Sequence, residues 1–371
     1  MRKLQAVWII ILFITISIPT NGRLIEKSSI VSYNGKTLYV GGTGPNNYTR
    51  IQDAIDNASN GDTVFVYSNS SPYYELIDID ETINLVGQDR ETTVIDGDNG
   101  WLIVDIRANW VTVSGFTIKN SHELSTGIYI GGYCSHITIK DNIIHNNGEG
   151  IAINWYSNYN NISGNNITSN GYGIELDMSS DNTIMENNIL NNYGGIMVYP
   201  VANNNIISNN IVSNNGYDNK GFGISIGCSN YNTISENTII FNYNYGIHIW
   251  MSSNNNTVSG NTISSNYGDG IFLDNNIIFS DNNIINGNDI SSNNEIGINI
   301  TLSSKNTISE NNFRNNKRSS FFIDCKNIWK HNYWGRPRML PKLIFGVIKI
   351  DSKWIPWANI DWRPALRPYD I

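Results

Sequence analysis

Residues 182–192 read NTIMENNILNN, residues 232–242 NTISENTIIFN and residues 256–266 NTVSGNTISSN. All three follow one approximate pattern, Asn-Thr-Ile-Ser-x-Asn-x-Ile-x-x-Asn. Outward from these stretches, Gly-Ile pairs begin at Gly127, Gly150, Gly173, Gly195, Gly223, Gly246, Gly270 and Gly297, with spacings of 23, 23, 22, 28, 23, 24 and 27 residues. Three asparagine columns line up between them. The middle column takes Asn142, Asn165, Asn187, Asn209, Asn237, Asn261, Asn288 and Asn311. The third takes Asn147, Asn170, Asn192, Asn214, Asn242, Asn266, Asn293 and Asn316, and the first takes Asn160, Asn182, Asn204, Asn232, Asn256, Asn283 and Asn306, with Ile137 breaking it in the first repeat. A fixed period of this length marks a stacked repeat architecture.

Within a repeat the apolar residues come in short alternating runs, such as Ile174 and Leu176 and then Ile184, divided by Asn and Gly. That is a strand signal. A repeat this short cannot bury its own apolar face, so successive repeats must stack, each strand pairing in parallel with its counterpart about 4.8 Å away. Stacking sets identical residues above one another. An Asn amide donates and accepts between coils and tolerates a left-handed backbone, so it suits a buried corner. This explains a composition in which 61 of 371 residues are Asn, more than the 24 Lys and Arg and 32 Asp and Glu together. The excess argues against helical bundles and doubly wound folds, because Asn is poor in helix interiors and in ordinary strands. The interleaved Ile and an aromatic content of 11% argue against disorder.

The formal charge is −8 and no basic stripe is visible, which removes the electrostatic term that nucleic-acid binding needs. Residues 1–22 read as a secretory signal: Arg2 and Lys3, an apolar stretch from Ala6 to Ile18, then Pro19, Thr20, Asn21 and Gly22. The alternative is an uncleaved anchor, for which the apolar run is short. No later segment is long and apolar enough to span a membrane, so a secreted or cell-surface protein is expected. Cys134, Cys228 and Cys325 make a poor disulfide framework. Cys134 and Cys228 would stand four coils, roughly 19 Å, apart, too far for a bridge, and read as buried inert thiols.

This pattern resembles the right-handed parallel β-helix proteins, and more closely the secreted repeat proteins with a NosD-like β-helix domain. The resemblance covers residues 37–335, clearest over 127–316, and implies an all-β right-handed parallel solenoid. Thr49 and Gln52 form a capping box; Ile51, Ala54, Ile55 and Ala58 make an apolar face and Asn60-Gly61 ends the helix. The reading is a short N-terminal capping helix ahead of a first strand at Thr63–Val66. Less regular coils show at Ile83–Gly87, Thr93–Gly97, Leu102–Val104 and Val111–Ile118. Asn332-Tyr333-Trp334-Gly335 follows the last coil, a pattern these surface proteins often carry. Beyond it the columns stop, and Trp354, Trp357, Trp362 and five prolines predict an irregular aromatic and Pro-rich cap over 336–371.

Alternation along the strand after each Gly-Ile turns the Ile inward and exposes two columns. One is Tyr129, Ala152, Glu175, Met197, Ser225, His248, Phe272 and Asn299; the other is Gly131, Asn154, Asp177, Tyr199, Gly227, Trp250, Asp274 and Thr301. The inward columns are uniform and these are not, and an irregular exposed face is where a ligand site would be built. Glu175 and Asp177 are the candidate acid and base for cleaving a glycosidic bond. Asn154, Tyr199, His248, Trp250, Phe272 and Asp274 are the candidate ligand-binding residues, the aromatic rings offering flat faces to sugars. His248 would lie roughly 14 Å from Glu175, three coils on.

The expected function is an extracellular carbohydrate-binding or structural solenoid whose partner is a polysaccharide or envelope glycan. The alternative is a polysaccharide-processing enzyme of lyase, glycoside hydrolase or epimerase type. By fold the resemblance extends to pectate lyases, polygalacturonases, pectin methylesterases and alginate epimerases, and the segments Ile51–Gly61 and Thr82–Gly97 look like the opening of pectin methylesterases. The catalytic Asp and Arg motifs of those enzymes have no matching set here. The NosD-like resemblance implies a copper accessory role, yet copper(I) wants Cys, Met and His close together, and only His248 and Met251 are near one another. No metal or cofactor is expected. Seven Asn-x-Ser/Thr sequons, at Asn47, Asn57, Asn69, Asn161, Asn166, Asn255 and Asn299, permit glycosylation.

Overall fold

Each coil divides its residues among three short strands, and stacking turns the strands into three walls around an isoleucine core. The computed structural model describes residues 35–218, 220–274 and 280–371; the signal-like stretch 1–22 lies outside them. Wall 1 holds eleven strands from Ile77–Ile79 to Arg318–Ile323 and includes the Gly-Ile pairs. Wall 2 holds thirteen, from Thr37–Val40 to Ile328–Lys330, and wall 3 eleven, from Tyr73–Tyr74 to Asn312–Arg314. Neighbouring coils pair in parallel in each wall and in the register the repeats define. In wall 1, Ile151, Ile174, Ile196, Ile224, Ile247, Ile271 and Ile298 follow one another. All of them are fully buried.

The glycine of each pair also turns inward. A β-carbon on Gly195 would stand 2.2 Å from the Gly223 carbonyl oxygen and 2.8 Å from Val212 Cγ1. Gly and Ile therefore both face the interior, strict alternation is broken at this point, and the residue just before each Gly emerges on the outer face of wall 1.

The asparagine columns are ladders. Asn165 Nδ2 donates to Asn187 Oδ1 (3.0 Å) and to the Ile139 carbonyl (2.9 Å), while Asn165 Oδ1 accepts from the N–H (3.0 Å) and Nδ2 (3.1 Å) of Asn142. Buried turn groups are thus satisfied by the coil above and the coil below. The ladders run one coil past the sequence columns, to Asn327 and Asn332. The middle one ends on the buried carboxylate of Asp361, which accepts from Asn332 N (3.0 Å) and Trp334 Nε1 (3.1 Å).

One coil departs from the columns read above. Asn205, Asn210 and Asn215 stand in the ladders, and Asn204, Asn209 and Asn214 occupy the corners before them at φ 57°, 57° and 54°. Asp181, Glu186 and Asn191 fill the same corner slot one coil earlier, at φ 58°, 58° and 56°. A left-handed corner and a ladder position both favour Asn, so a doublet fits either register on sequence alone. A further column was not foreseen: Ser157, Ser179, Ser229, Ser253, Ser280 and Ser303 are buried in line, interrupted by Ala202 between Ser179 and Ser229, with Cys134 and Cys325 occupying the same slot at its two ends.

Both caps differ from expectation in detail. A strand, Thr37–Val40, precedes the helix and pairs with Thr63–Val66. The helix is Ile51–Asp56 with Arg50 at its N-cap, and Thr49 does not cap it. Glu75, from the next coil, accepts from Ile51 N (2.8 Å) and Gln52 N (3.1 Å) instead. A buried carboxylate at the positive helix end outcompetes a hydroxyl. The C-terminal segment is not irregular: Lys342–Ile350 and Lys353–Asp361 form an antiparallel hairpin, whose first strand joins wall 1 through Phe322 opposite Gly346.

Candidate functional site

Because Gly and Ile both turn inward, the outer face of wall 1 carries three columns rather than two. The additional one is the residue before each Gly, Thr126, Glu149, Tyr172, Gly194, Phe222, Tyr245, Asp269 and Ile296, continued by Arg318, which precedes Ser319. Strict period-two reading hides it; the signal that reveals it is that this position, like the other two outer columns, is irregular while the Gly and Ile are constant.

The face has two parts. The first is acidic. Ala152 stands in register with Glu175, and Asn154 with Asp177. Glu149, in the coil before, hydrogen-bonds Glu175 and itself accepts from Thr126 Oγ1 (2.9 Å). Burial, then the charge of Glu149 and this shared hydrogen bond, and then Asp177 push the Glu175 carboxyl up to about 8. Glu175 therefore keeps its proton at neutral pH. Asp177 is raised by burial and by Glu149, and its Oδ1 accepts no hydrogen bond from the described residues. Nearer the N-terminus Asp105, buried, pairs with Arg107, which also reaches Asp78 (3.4 Å).

The second part is aromatic. Tyr199 and Trp250 lie two coils apart yet stack, ring centroids 5.5 Å apart and planes within 8°. The intervening residue is Gly227, where a β-carbon would fall 2.7 Å from Trp250 Cε2 and 2.9 Å from Tyr199 Cδ2. His248 stacks on Phe272 (5.3 Å) and on Trp250 (5.7 Å), and Tyr245 joins both His248 (4.7 Å) and Phe272 (5.0 Å). Burial in this block pulls His248 down to about 4, and its Nε2 has no partner among the described residues. The rings turn their faces toward one another, so they present less free ring face to a ligand than the sequence columns implied. Asp274 ends its strand beside this block, its N–H bonded to the Ile249 carbonyl (2.9 Å).

The fold thus brings Asn154, Glu175 and Asp177 together, and separately Tyr199, His248, Trp250 and Phe272. It adds Glu149, Tyr172, Phe222 and Tyr245, which sequence reasoning missed. Asp269 shares the face but is occupied, accepting from Ile296 N (2.8 Å) and Asn299 Nδ2 (2.8 Å). The site is an open face; a cavity of about 500 Å³ lies elsewhere, where Glu236, Glu310 and the C-terminal Tyr369, Asp370 and Ile371 meet. The histidines stay apart, His122 against Trp101 and His136 between Trp110 and Tyr159. Among the described residues no group of three or more His, Cys, Asp or Glu could hold a metal ion, and no helix is long and apolar enough to cross a membrane.

No curated protein sequence matches the chain. Solved structures do, by shape. The A-module of a mannuronan C-5 epimerase from Azotobacter vinelandii is 14% identical, with a TM-score of 0.58, over 75% of this chain and 90% of that one. A DFA-IIIase from Arthrobacter chlorophenolicus A6, solved in complex with GF2, is 11% identical, with a TM-score of 0.59, over 80% of this chain and 94% of that one. The Dettilon tailspike protein is 15% identical, with a TM-score of 0.53, over 80% and 61%. At these identities the likeness is one of fold. The family described as the right handed beta helix region matches the sequence over residues 90–218 and 217–333. Coil repeats, parallel walls and this match together make the chain a member of the right handed beta helix family.

Proposed function

We propose that the protein is an extracellular glycan-binding solenoid whose ligand lies along the outer face of wall 1, across the acidic row and against the aromatic block. The observation that carries this reading is the gathering of half-buried Glu149, Glu175 and Asp177 beside Tyr199, His248 and Trp250 on one face, over inner columns that are uniformly apolar. Carboxyls and amides hydrogen-bond sugar hydroxyls, and the aromatic ridge sets the shape of the groove. The acidic row favours an uncharged or cationic glycan over a polyuronate. The mannuronan epimerase and the DFA-IIIase, by their names, act on carbohydrates on the same fold. An extracellular location rests on the signal-like residues 1–22.

Binding to a panel of neutral, amino-sugar and uronate polysaccharides tests it. The expected result is retention on neutral or amino-sugar glycans that drops at least tenfold in a Tyr199→Ala, Trp250→Ala double variant. Unchanged binding in that variant refutes the placement.

A second reading, acid–base processing of the bound glycan, is favoured by the placement of half-buried Glu175 beside Glu149 and Asp177, where burial and the neighbouring carboxylates push its carboxyl up. Release of reducing ends or of unsaturated products, abolished by Glu175→Gln while binding persists, distinguishes it from binding alone.

A further inference from the structure

The charge of the chain is divided by position. Residues 314–371 carry 12 Lys and Arg against 4 Asp and Glu, whereas residues 1–313 carry 12 against 28. The solenoid collects the basic stretch at its C-terminal end. There Arg318, Arg336, Arg338 and Lys342 crowd together, and the Lys342 ammonium is held below its usual range, by burial first and then by the three arginines. Among the described residues, neither Arg336, Arg338 and Lys342 nor the exposed Lys349 and Lys353 form an ion pair with a carboxylate.

The hairpin at this end is longer than a cap requires. Its base covers the core: Ile344 is buried, Ile348 packs against the cluster, and Gly346 lies against the Phe322 ring. Its backbone holds the solenoid as far as Lys349, whose N–H reaches Asp324 (3.1 Å). The strands then continue to a tight turn at Asp351 and Ser352, both left-handed at φ 45° and 66°. On this overhang Ile350 and Trp354 are 45 and 54% exposed, and just behind it, opposite Ile348 and Gly346, Ile355 and Trp357 are 38 and 47% exposed. Lys349 extends over the Trp354 ring, 5.9 Å from its centroid. Exposed apolar side chains gathered in one place mark an interaction surface.

Tryptophans rimmed by lysines are the composition of a membrane–water interface, where the rings sit at headgroup depth and the ammonium groups meet phosphates. We propose that the hairpin tip docks the protein on an anionic lipid surface, with Trp354, Ile355 and Trp357 entering the headgroup layer and Lys349 and Lys353 meeting the phosphates. The occupant follows from charge complementarity. A second copy would set the basic ends against each other, and a soluble polyanion would use the lysines but not the tryptophans. The acidic remainder of the solenoid is repelled by the same surface, which leaves wall 1 free.

Sedimentation of the full chain with vesicles of phosphatidylglycerol in phosphatidylcholine, against phosphatidylcholine alone, tests the proposal. All variants keep the apolar N-terminal stretch, so any binding that it causes is common to them and the differences report on the hairpin. The expected result is preference for the anionic vesicles, weakened by salt and about 25-fold weaker in Lys349→Gln, Lys353→Gln, at roughly fivefold per lysine. Trp354→Ser, Trp357→Ser is expected to lower binding at least tenfold, and brominated lipid to quench wild-type tryptophan fluorescence. Three outcomes overturn the proposal: equal binding by wild type and both variants, absence of quenching in wild type, or a lipid-independent dimer lost in the tryptophan variant. Heparin binding that needs the lysines alone, without quenching by lipid, also overturns it and assigns the end to a soluble polyanion.

Discussion

The substitutions Asn210→Ala and Asn209→Ala separate two residues that the sequence alone makes interchangeable. Asn210 Nδ2 donates to the carbonyls of Ile184 (3.0 Å) and Ser208 (3.0 Å) and to Asn237 Oδ1 (2.9 Å). Its Oδ1 accepts from the N–H and the Nδ2 of Asn187, both at 3.0 Å. Truncation removes these bonds from a buried corner. Asn187 Nδ2 keeps the carbonyls of Ile162 and Met185, but the backbone N–H of Asn187 loses its acceptor. A stranded buried amide costs about 1–3 kcal/mol and each lost bond about 1 kcal/mol net, so Asn210→Ala should destabilise by about 3–5 kcal/mol. Asn209 makes no ladder bond, and at φ 57° its replacement by Ala costs the left-handed penalty of about 1–2 kcal/mol. Asn209→Gly should cost nothing. Urea unfolding followed by far-UV circular dichroism measures the difference, and amide exchange locates it: the Asn187 N–H should exchange faster in Asn210→Ala and unchanged in Asn209→Ala. Equal losses, or a larger loss at Asn209, would refute the ladder register and with it the spacing of the coils around it.

Other expectations follow from the site and the caps. Glu175, with a folded pKa near 8 against 4.5 in the unfolded chain, stabilises fully below pH 4.5 and loses that contribution as pH rises toward 8. Glu175→Gln should flatten a fall of up to about 4 kcal/mol in denaturation midpoints compared across that window. His248 works in the opposite sense: its folded pKa near 4 against 6.5 makes stability full above pH 6.5 and lost on acidification. His248→Phe should remove about 2–3 kcal/mol of that acid sensitivity, measured by the same titration. Burial raises all three thiols, Cys325 to about 12, and Cys228 alone is half-exposed; peptide mapping after alkylation of the native protein should find Cys228 modified first and Cys325 last. Glu75→Gln should cost about 1–2 kcal/mol by weakening the carboxylate cap on Ile51 and Gln52; a neutral result by thermal melting would mean that Thr49 or water takes its place.

Much of the fold is legible along the chain because the interactions that define it repeat at fixed offsets. Gly127 through Gly297 count the coils, and Asn142, Asn165 and Asn187 fix their register, since a ladder residue needs the same residue above and below. What escapes is whatever depends on neighbours distant in sequence. The helix cap comes from Glu75 rather than Thr49 because the next coil delivers a carboxylate to the helix end. The tail reads as loop because of its five prolines, yet one of them, Pro356, lies on a hairpin strand opposite Val347, and the position of that hairpin is set by the last coil.

The candidate site divides in the same way. Glu175, Asp177, Tyr199, His248 and Trp250 are found by alternation after each Gly-Ile pair. Glu149 and Tyr245 are not, because only the inward turn of both Gly and Ile, forced by the contact of one coil's glycine with the next coil's backbone, brings the preceding residue outside. By itself the sequence determined the solenoid, the period of its repeats and the face that is not uniform, since each is a local periodicity. Only the tertiary structure decided which carboxyls stand against one another, which rings stack face to face and where the basic residues gather. Those depend on distances between coils 22 to 28 residues apart in sequence, and stacking brings such residues within a few ångströms of each other.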